Sequence, residues 1–473
     1  MVYNFAAWPR SFGATGLSAP SPSTRLANAL RAFHFYPLPR QPNMRSVQFI
    51  SKIFPMRPIF TLIALLVCQF ALAQKELEYS DKSYEEEIRT VMIYPNNGSP
   101  RNNLRPSVVP VENQNLILEF DDLQGERSNY YVKLIHCNYD WGKSSLQSLD
   151  FLADFNEFPI TEYDVSSNVS VPYVHYYFQI PPVKLPGNYL LVAYRESDQE
   201  DILLSKRFMV FSNQAHVFQD DQLQGAGTLR ASNQQLNFKV NYSRLDVVNP
   251  LEMVHAVVRQ NQRWDNVRMN VRPSFVREDK RELEYRFFDQ DNQFAAGNEF
   301  RFVDFRSLNS PGQNTGRLDR SARPFHLYVQ TDKSREGLAY GQYPDLNGNF
   351  VIENFDFREA ALSGDYLFVT FTLAVPPVQG QVHLVGAFNN WIRTADSKMK
   401  FVKAQNAYET TLLLKQGFYN YQYWVEADKA SGFQIEGSHF ETENMYEVLI
   451  YFRPFRPNAD LLVGYYPMVV NGR

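Results

Sequence analysis

Leu185-Pro186-Gly187-Asn188-Tyr189-Leu190-Leu191-Val192, the acidic turn Glu196 to Asp201 and the run Ile202 to Phe211 decide the fold of this chain. Two segments rich in aromatic and branched aliphatic residues, joined by a short polar turn, spell a β-hairpin. Proline and glycine at the entrance keep a helix from running into the first segment. The pair has the form of the last hairpin of a two-sheet sandwich, so a domain is expected to close near Ser212.

The same grammar extends outward from the hairpin. Upstream lie Leu116 to Phe120, Tyr131 to Ile135 and Tyr173 to Phe178, separated by Asp121-Asp122 through Gly125 and by Pro181-Pro182. Downstream come Leu236 to Val240, Met253 to Val258 and Phe325 to Val329, then Tyr366 to Leu373, Val382 to Val385, Tyr408 to Leu414, Phe418 to Val425 and Tyr446 to Phe452. No helix of useful length is legible. The expectation is an all-β chain of tandem immunoglobulin-like, early-set β-sandwich domains, over 85–212, 213–354 and 355–455, with a linker at 74–84 and a tail at 456–473.

Bulk composition agrees. A chain of 473 residues has room for about three domains. Aromatic residues make up 15% of it, which suits strands and excludes disorder for the whole. The formal charge is −4, and the first 73 residues hold seven Lys/Arg and no acid, so the remainder is distinctly acidic and a nucleic-acid footprint is missing. Two cysteines, Cys68 and Cys137, exclude a disulfide framework.

Near the start, Ile59 to Phe70 is an apolar run behind Met56 and Arg57, followed by Ala71-Leu72-Ala73. This reads as a secretory signal over 56–73, cleaved between Ala73 and Gln74. The run is too short for a spanning helix. Residues 1–55, Pro-rich and acid-free ahead of a complete signal, read as an over-extended, disordered start.

Motifs that carry chemistry are scarce. Phosphate loops, dinucleotide fingerprints, nucleophile elbows and zinc helices do not occur in 74–473, so neither catalysis nor a cofactor is expected. His136 and Cys137 are adjacent on a strand and point to opposite faces, which predicts a buried thiol beside a hydrogen-bonded histidine rather than a shared ion. Asp345-Leu346-Asn347-Gly348-Asn349 has oxygens at alternate positions, but its glycine is misplaced for a calcium loop and a turn is expected. The adjacent carboxylates Asp121-Asp122 read as a solvated corner. Tyr- and Phe-rich strands also raise a membrane β-barrel, disfavoured by irregular polar loops and by the ending Asn471-Gly472-Arg473.

Two resemblances sharpen this. Val385-Gly386-Ala387-Phe388-Asn389-Asn390-Trp391 resembles the glycogen-binding modules of the early-set type, over roughly Val382 to Tyr451. That likeness implies a sugar-stacking role for Trp391, with Phe388 and Phe433 as further contacts, but Gln422 stands where the family has lysine. A periplasmic or surface α-glucan-binding protein is therefore the alternative reading.

The wider likeness rests on ordered phrases: His136-Cys137-Asn138-Tyr139-Asp140-Trp141, Phe155-Asn156-Glu157-Phe158-Pro159-Ile160, Pro172-Tyr173-Val174-His175-Tyr176, Gly187-Asn188-Tyr189, Gln260-Asn261-Gln262-Arg263-Trp264-Asp265-Asn266 and Gly297-Asn298-Glu299-Phe300-Arg301. Over nearly all of 85–455 the chain resembles the plug protein of the type IX secretion system of Bacteroidota. The resemblance implies a periplasmic subunit, peripheral to the outer membrane, that docks on the translocon pore protein and seals it while no cargo passes.

Overall fold

Alternation along the strand Gly187–Arg195 sets the architecture. Tyr189, Leu191 and Ala193 enter one core, while Leu190 and Val192 enter another. This strand is buried on both faces, and the sheet that contains it is an inner layer. The computed structural model describes residues 75–98, 101–219, 231–287, 292–427 and 432–472. The expected signal, its Ala73/Gln74 cleavage site and residues 1–55 lie outside them.

Four sheets stack face to face. The outermost runs Ile88–Pro95, Leu116–Asp122, Val174–Gln179, Glu162–Val165. Next comes the sheet of Lys82–Ser83, Ile202–Phe211, Gly187–Arg195, Tyr130–Cys137 and Phe158–Ile160, with Val108–Pro110 added parallel to Ile202–Phe211. Phe120, Tyr176, Leu134 and Phe208 fill the core between these two. The third layer is Arg268–Val271, Val254–Gln260, Asn444–Phe452, Leu461–Val470, and the fourth is His216–Gln219, Phe238–Asn241, Glu282–Tyr285, Phe275–Arg277. Val448, Ile450, Phe238 and Leu283 fill the space between them.

Layers two and three are also in contact. Leu190, Val192 and Met209 meet Val257, Leu449, Tyr451 and Leu462 in one cluster. The Tyr451 hydroxyl donates to Asn188 Oδ1 at 2.8 Å, satisfying two polar groups that this contact removes from water. A fully buried leucine here contributes about 1.5–3 kcal/mol.

The expected sequence of domains, 213–354, then 355–455, then a tail, meets a different pairing. Val254–Gln260 pairs along its length with Asn444–Phe452, from Val254↔Phe452 to Gln260↔Tyr446. The supposed tail supplies the ten-residue strand Leu461–Val470, paired with Asn444–Phe452. Between these halves sits a further sandwich. Its sheets are Tyr366–Ala374 with Ala407–Lys415 and neighbours, facing Phe418–Glu426 with Gln381–Val385 and Arg301–Asp304. Leu367, Phe371, Leu384, Tyr419, Tyr421 and Tyr423 form its core.

This sandwich is thus inserted into the one before it. Its entry and exit lie side by side: the His439 N–H donates to Gly297 O at 2.8 Å, and Asn298 Nδ2 to Glu436 O at 2.9 Å. Arg301 holds the neck, buried against Glu436 at 3.0 Å and Asp332 at 2.7 Å.

Candidate functional site

Three tryptophans from distant parts of the chain converge where the first sandwich, the third layer and the inserted sandwich meet. Trp141 ends the turn after Tyr130–Cys137, Trp264 lies in the polar turn after Val254–Gln260, and Trp391 ends the Asn-Asn-Trp turn after Gln381–Val385. Trp141 and Trp264 pack edge to face, with centroids 5.1 Å apart. The Arg207 guanidinium lies 5.0 Å from the Trp141 ring and 5.2 Å from Trp264, with Arg259 4.6 Å from Trp264 on its own account. Arg263 covers Trp391 at 4.1 Å. Such cation–π contacts contribute about 0.5–2 kcal/mol each, more as water is excluded.

The backbone here is strained. Trp141 has φ 67°, Asn261 52°, Gln262 59°, Asn390 52° and Trp391 62°. Bulky residues rarely adopt this region, and such strain collects where surrounding structure has a use for it. The turns enclose an open cleft of about 500 Å³ whose wall includes Arg105, Lys206, Arg207, Trp264, Asn390 and Arg393. In its wall, Arg259 forms a buried bidentate pair with Glu447, at 2.5 and 2.8 Å. Burial pushes the Arg207 guanidinium below its ordinary value, opposed by Asp81 and reinforced by Arg259.

A second weld joins the first sandwich to the insertion. Asp121 and Asp122, expected as a solvated corner, are both fully buried. Asp121 accepts from Lys415 Nζ at 2.6 Å, His175 Nδ1 at 2.7 Å and the Tyr366 hydroxyl at 2.6 Å. Burial alone would raise this carboxyl, but Lys415 and His175 hold it below the usual carboxylate range. Asp122 accepts from the Tyr130 hydroxyl at 2.6 Å. The expectation failed because the partners, Tyr366 and Lys415, come from a sandwich far along the chain.

The other expected residues fall as follows. His136 and Cys137 face opposite layers, as alternation requires: His136 packs edge to face on Tyr189 and meets Ser144 Oγ at 3.0 Å, while Cys137 joins the cluster with Leu190. Burial pushes the thiol up to about 12 and the imidazole down to about 4, so both are neutral. Asp345 is a turn residue whose carboxylate accepts from the N–H groups of Phe300 and Asn347. Among the described residues, no three His, Cys, Asp or Glu side chains gather as a metal site.

Trp391 offers no platform for sugar stacking. It is 5% exposed, Arg263 lies over its ring, and Phe300 packs on it at 5.5 Å. Phe388 packs against Tyr419 and Phe433 against Trp424, both partly buried. The three do not form one aromatic surface. Sequence reasoning missed Lys206-Arg207, although two adjacent cations inside the strand Ile202–Phe211, apolar elsewhere but for Ser205, are a visible signal.

Fold and site together define an all-β, multi-sandwich protein whose distinctive phrases weld sheets to one another. Residues 88–212 match the model of the type 9 secretion system plug protein 1st domain. That match is in line with the resemblance carried by the phrases and is what the chain is similar to over its first sandwich. A crystal structure of a hypothetical protein from Parabacteroides merdae is similar at TM-score 0.77 and 25% identity, covering 84% of this chain and 100% of that one. No curated protein matches the chain. Among the described residues no helix is long and apolar enough to cross a membrane.

Proposed function

We propose that this protein is a periplasmic plug subunit that docks on the inner mouth of the outer-membrane type IX translocon and seals the pore when no cargo is passing. The match of residues 88–212 to the plug first domain carries this reading. The apolar run Ile59 to Phe70 with Ala71-Leu72-Ala73 supports export by a cleaved signal. The four stacked sheets, with the insertion tied to them through Asp121 and Lys415, support a body that keeps its shape under load. It acts by occlusion, without a bond-making centre.

Docking needs anchors, and exposed aromatic side chains on a rigid frame are the usual ones. Phe155, the first residue of the Phe-Asn-Glu-Phe-Pro-Ile phrase, is 79% exposed, and Phe455, in the loop before the last strand, is 78% exposed. A strain lacking this protein is expected to admit large solutes through its outer membrane only when the translocon is present. Permeability that does not change on deletion overturns the proposal.

A further inference from the structure

The cleft at the tryptophan junction holds more positive charge than its own carboxylates use. Its wall carries five cations, Arg105, Lys206, Arg207, Arg259 and Arg393, against three acids, Asp81, Asp265 and Glu426. Each acid is already committed. Asp265 pairs with Arg263 at 2.7 Å and Glu426 pairs with Arg393 at 3.3 Å, while Asp81 accepts the Arg207 backbone N–H at 2.8 Å and its charge offsets the Arg207 guanidinium only from a distance. Arg259 is neutralised by Glu447 from behind the wall. Arg105, Lys206 and Arg207 are left without a carboxylate in ion-pair range among the described residues.

These three are brought together by the backbone. The chain from Arg105 enters Val108–Pro110, which runs parallel to Ile202–Phe211, and Ser107 Oγ donates to Arg207 O at 3.2 Å. Arg207 lies against the two indoles, and its Nε and Nη2 both donate to Tyr79 O, at 3.2 and 2.8 Å. Its third nitrogen, Nη1, has no hydrogen-bond partner among the described residues. Lys206 Nζ donates to Asn390 Oδ1 at 2.7 Å and keeps two further protons. A preoriented guanidinium edge, an ammonium and a second, exposed guanidinium around one opening make the donor set that recognises an oxyanion. In a chain that is acidic over its mature length, this local surplus also concentrates anions at the cleft.

We propose that this cleft is a binding site for an oxyanion, carboxylate or phosphate, held by Arg207 Nη1, Lys206 and Arg105. A ligand there would lie at the seam between the first sandwich and the inserted one, which the Lys206–Asn390 hydrogen bond already joins. The proposal stands on the cleft itself and does not depend on the secretory role.

The test is titration of the protein spanning residues 74–473, at low ionic strength, with pyrophosphate and separately with a tetra-aspartate peptide, following Trp fluorescence and heat. Saturable binding of either probe, screened by salt, is expected. Pyrophosphate alone binding assigns the site to a phosphate ligand, the peptide alone binding assigns it to a protein carboxylate, and both binding shows general oxyanion recognition. Arg207→Gln is the direct variant, but it removes a contact to two tryptophans and can unfold the junction. Arg105→Gln and Lys206→Gln leave that packing in place, and each is expected to weaken binding about tenfold. Absence of binding up to about 10 mM of both probes, or binding untouched by Arg105→Gln and Lys206→Gln, overturns the proposal.

Discussion

A lysine taken to 1% side-chain exposure needs a fixed anion beside it, and Lys415 has Asp121 at 2.6 Å. Burial pulls the ammonium below its ordinary value and Asp121 pulls it back. Replacing one partner strands the other: Lys415→Met is expected to destabilise by about 3–5 kcal/mol in urea unfolding, and adding Asp121→Asn should recover much of that. Equal stability of Lys415→Met and the parent would refute the weld. A second buried carboxyl has the opposite character. Burial pushes Asp345 up to about 7, against the N–H groups of Asn347 and Phe300, with Glu299 and Glu443 adding to the rise. Folded Asp345 keeps its proton to near neutrality, while the unfolded carboxyl loses it near its ordinary 3.8. The folded state therefore binds more protons across that window, and stability falls as pH rises from about 4 to about 7. Asp345→Asn should gain several degrees in Tm over the parent at about pH 8 and much less at about pH 4; identical shifts at both values dismiss this assignment.

At the scale of strands, Leu449 on Asn444–Phe452 fills the contact between layers two and three, and Leu449→Ala is expected to cost about 2–5 kcal/mol. A loss below about 1 kcal/mol would mean that those layers are not packed together in solution. Removing residues 456–473 is a sharper trial, because it deletes Leu461–Val470 and uncovers an edge of the third layer. Soluble, cooperatively folding protein after that truncation would show these residues to be a dispensable tail. Strand identity was legible in the sequence because it rests on local pattern. The unbroken apolar run Tyr189 to Tyr194 even carried the sign of double burial, since a strand with one wet face alternates. The solvated reading of Asp121-Asp122 failed for want of any such local sign. The last strand was lost with it, since the likeness to glycogen-binding modules stops near Tyr451.

For the molecule as a whole, the phrases His136 to Trp141, Pro172 to Tyr176 and Gln260 to Asn266 were visible one by one, but not that they meet. Tyr173 donates to Ala361 O and Gly364 O across the seam, and Arg263 reaches Trp391 across another. Contacts between segments more than a hundred residues apart leave no spacing for a single sequence to display. The nested order of the sandwiches is hidden for the same reason. It carries a prediction: because Gly297 and His439 are hydrogen-bonded neighbours, joining 297 directly to 439 should leave the four-layer stack folded, provided Asp121→Asn removes the stranded charge. Circular dichroism and a single unfolding transition are the expected result; an aggregated product counts against the insertion.

The same nesting sets a timetable. Val254–Gln260 meets Arg268–Val271 early but cannot find its other neighbour until Asn444–Phe452 has been made, so a half-finished chain carries one open, apolar strand edge through the whole of the inserted sandwich's emergence. Long-range pairing of this kind is slow and prone to misassociation. Newly delivered chains should therefore depend on a holding chaperone wherever they mature.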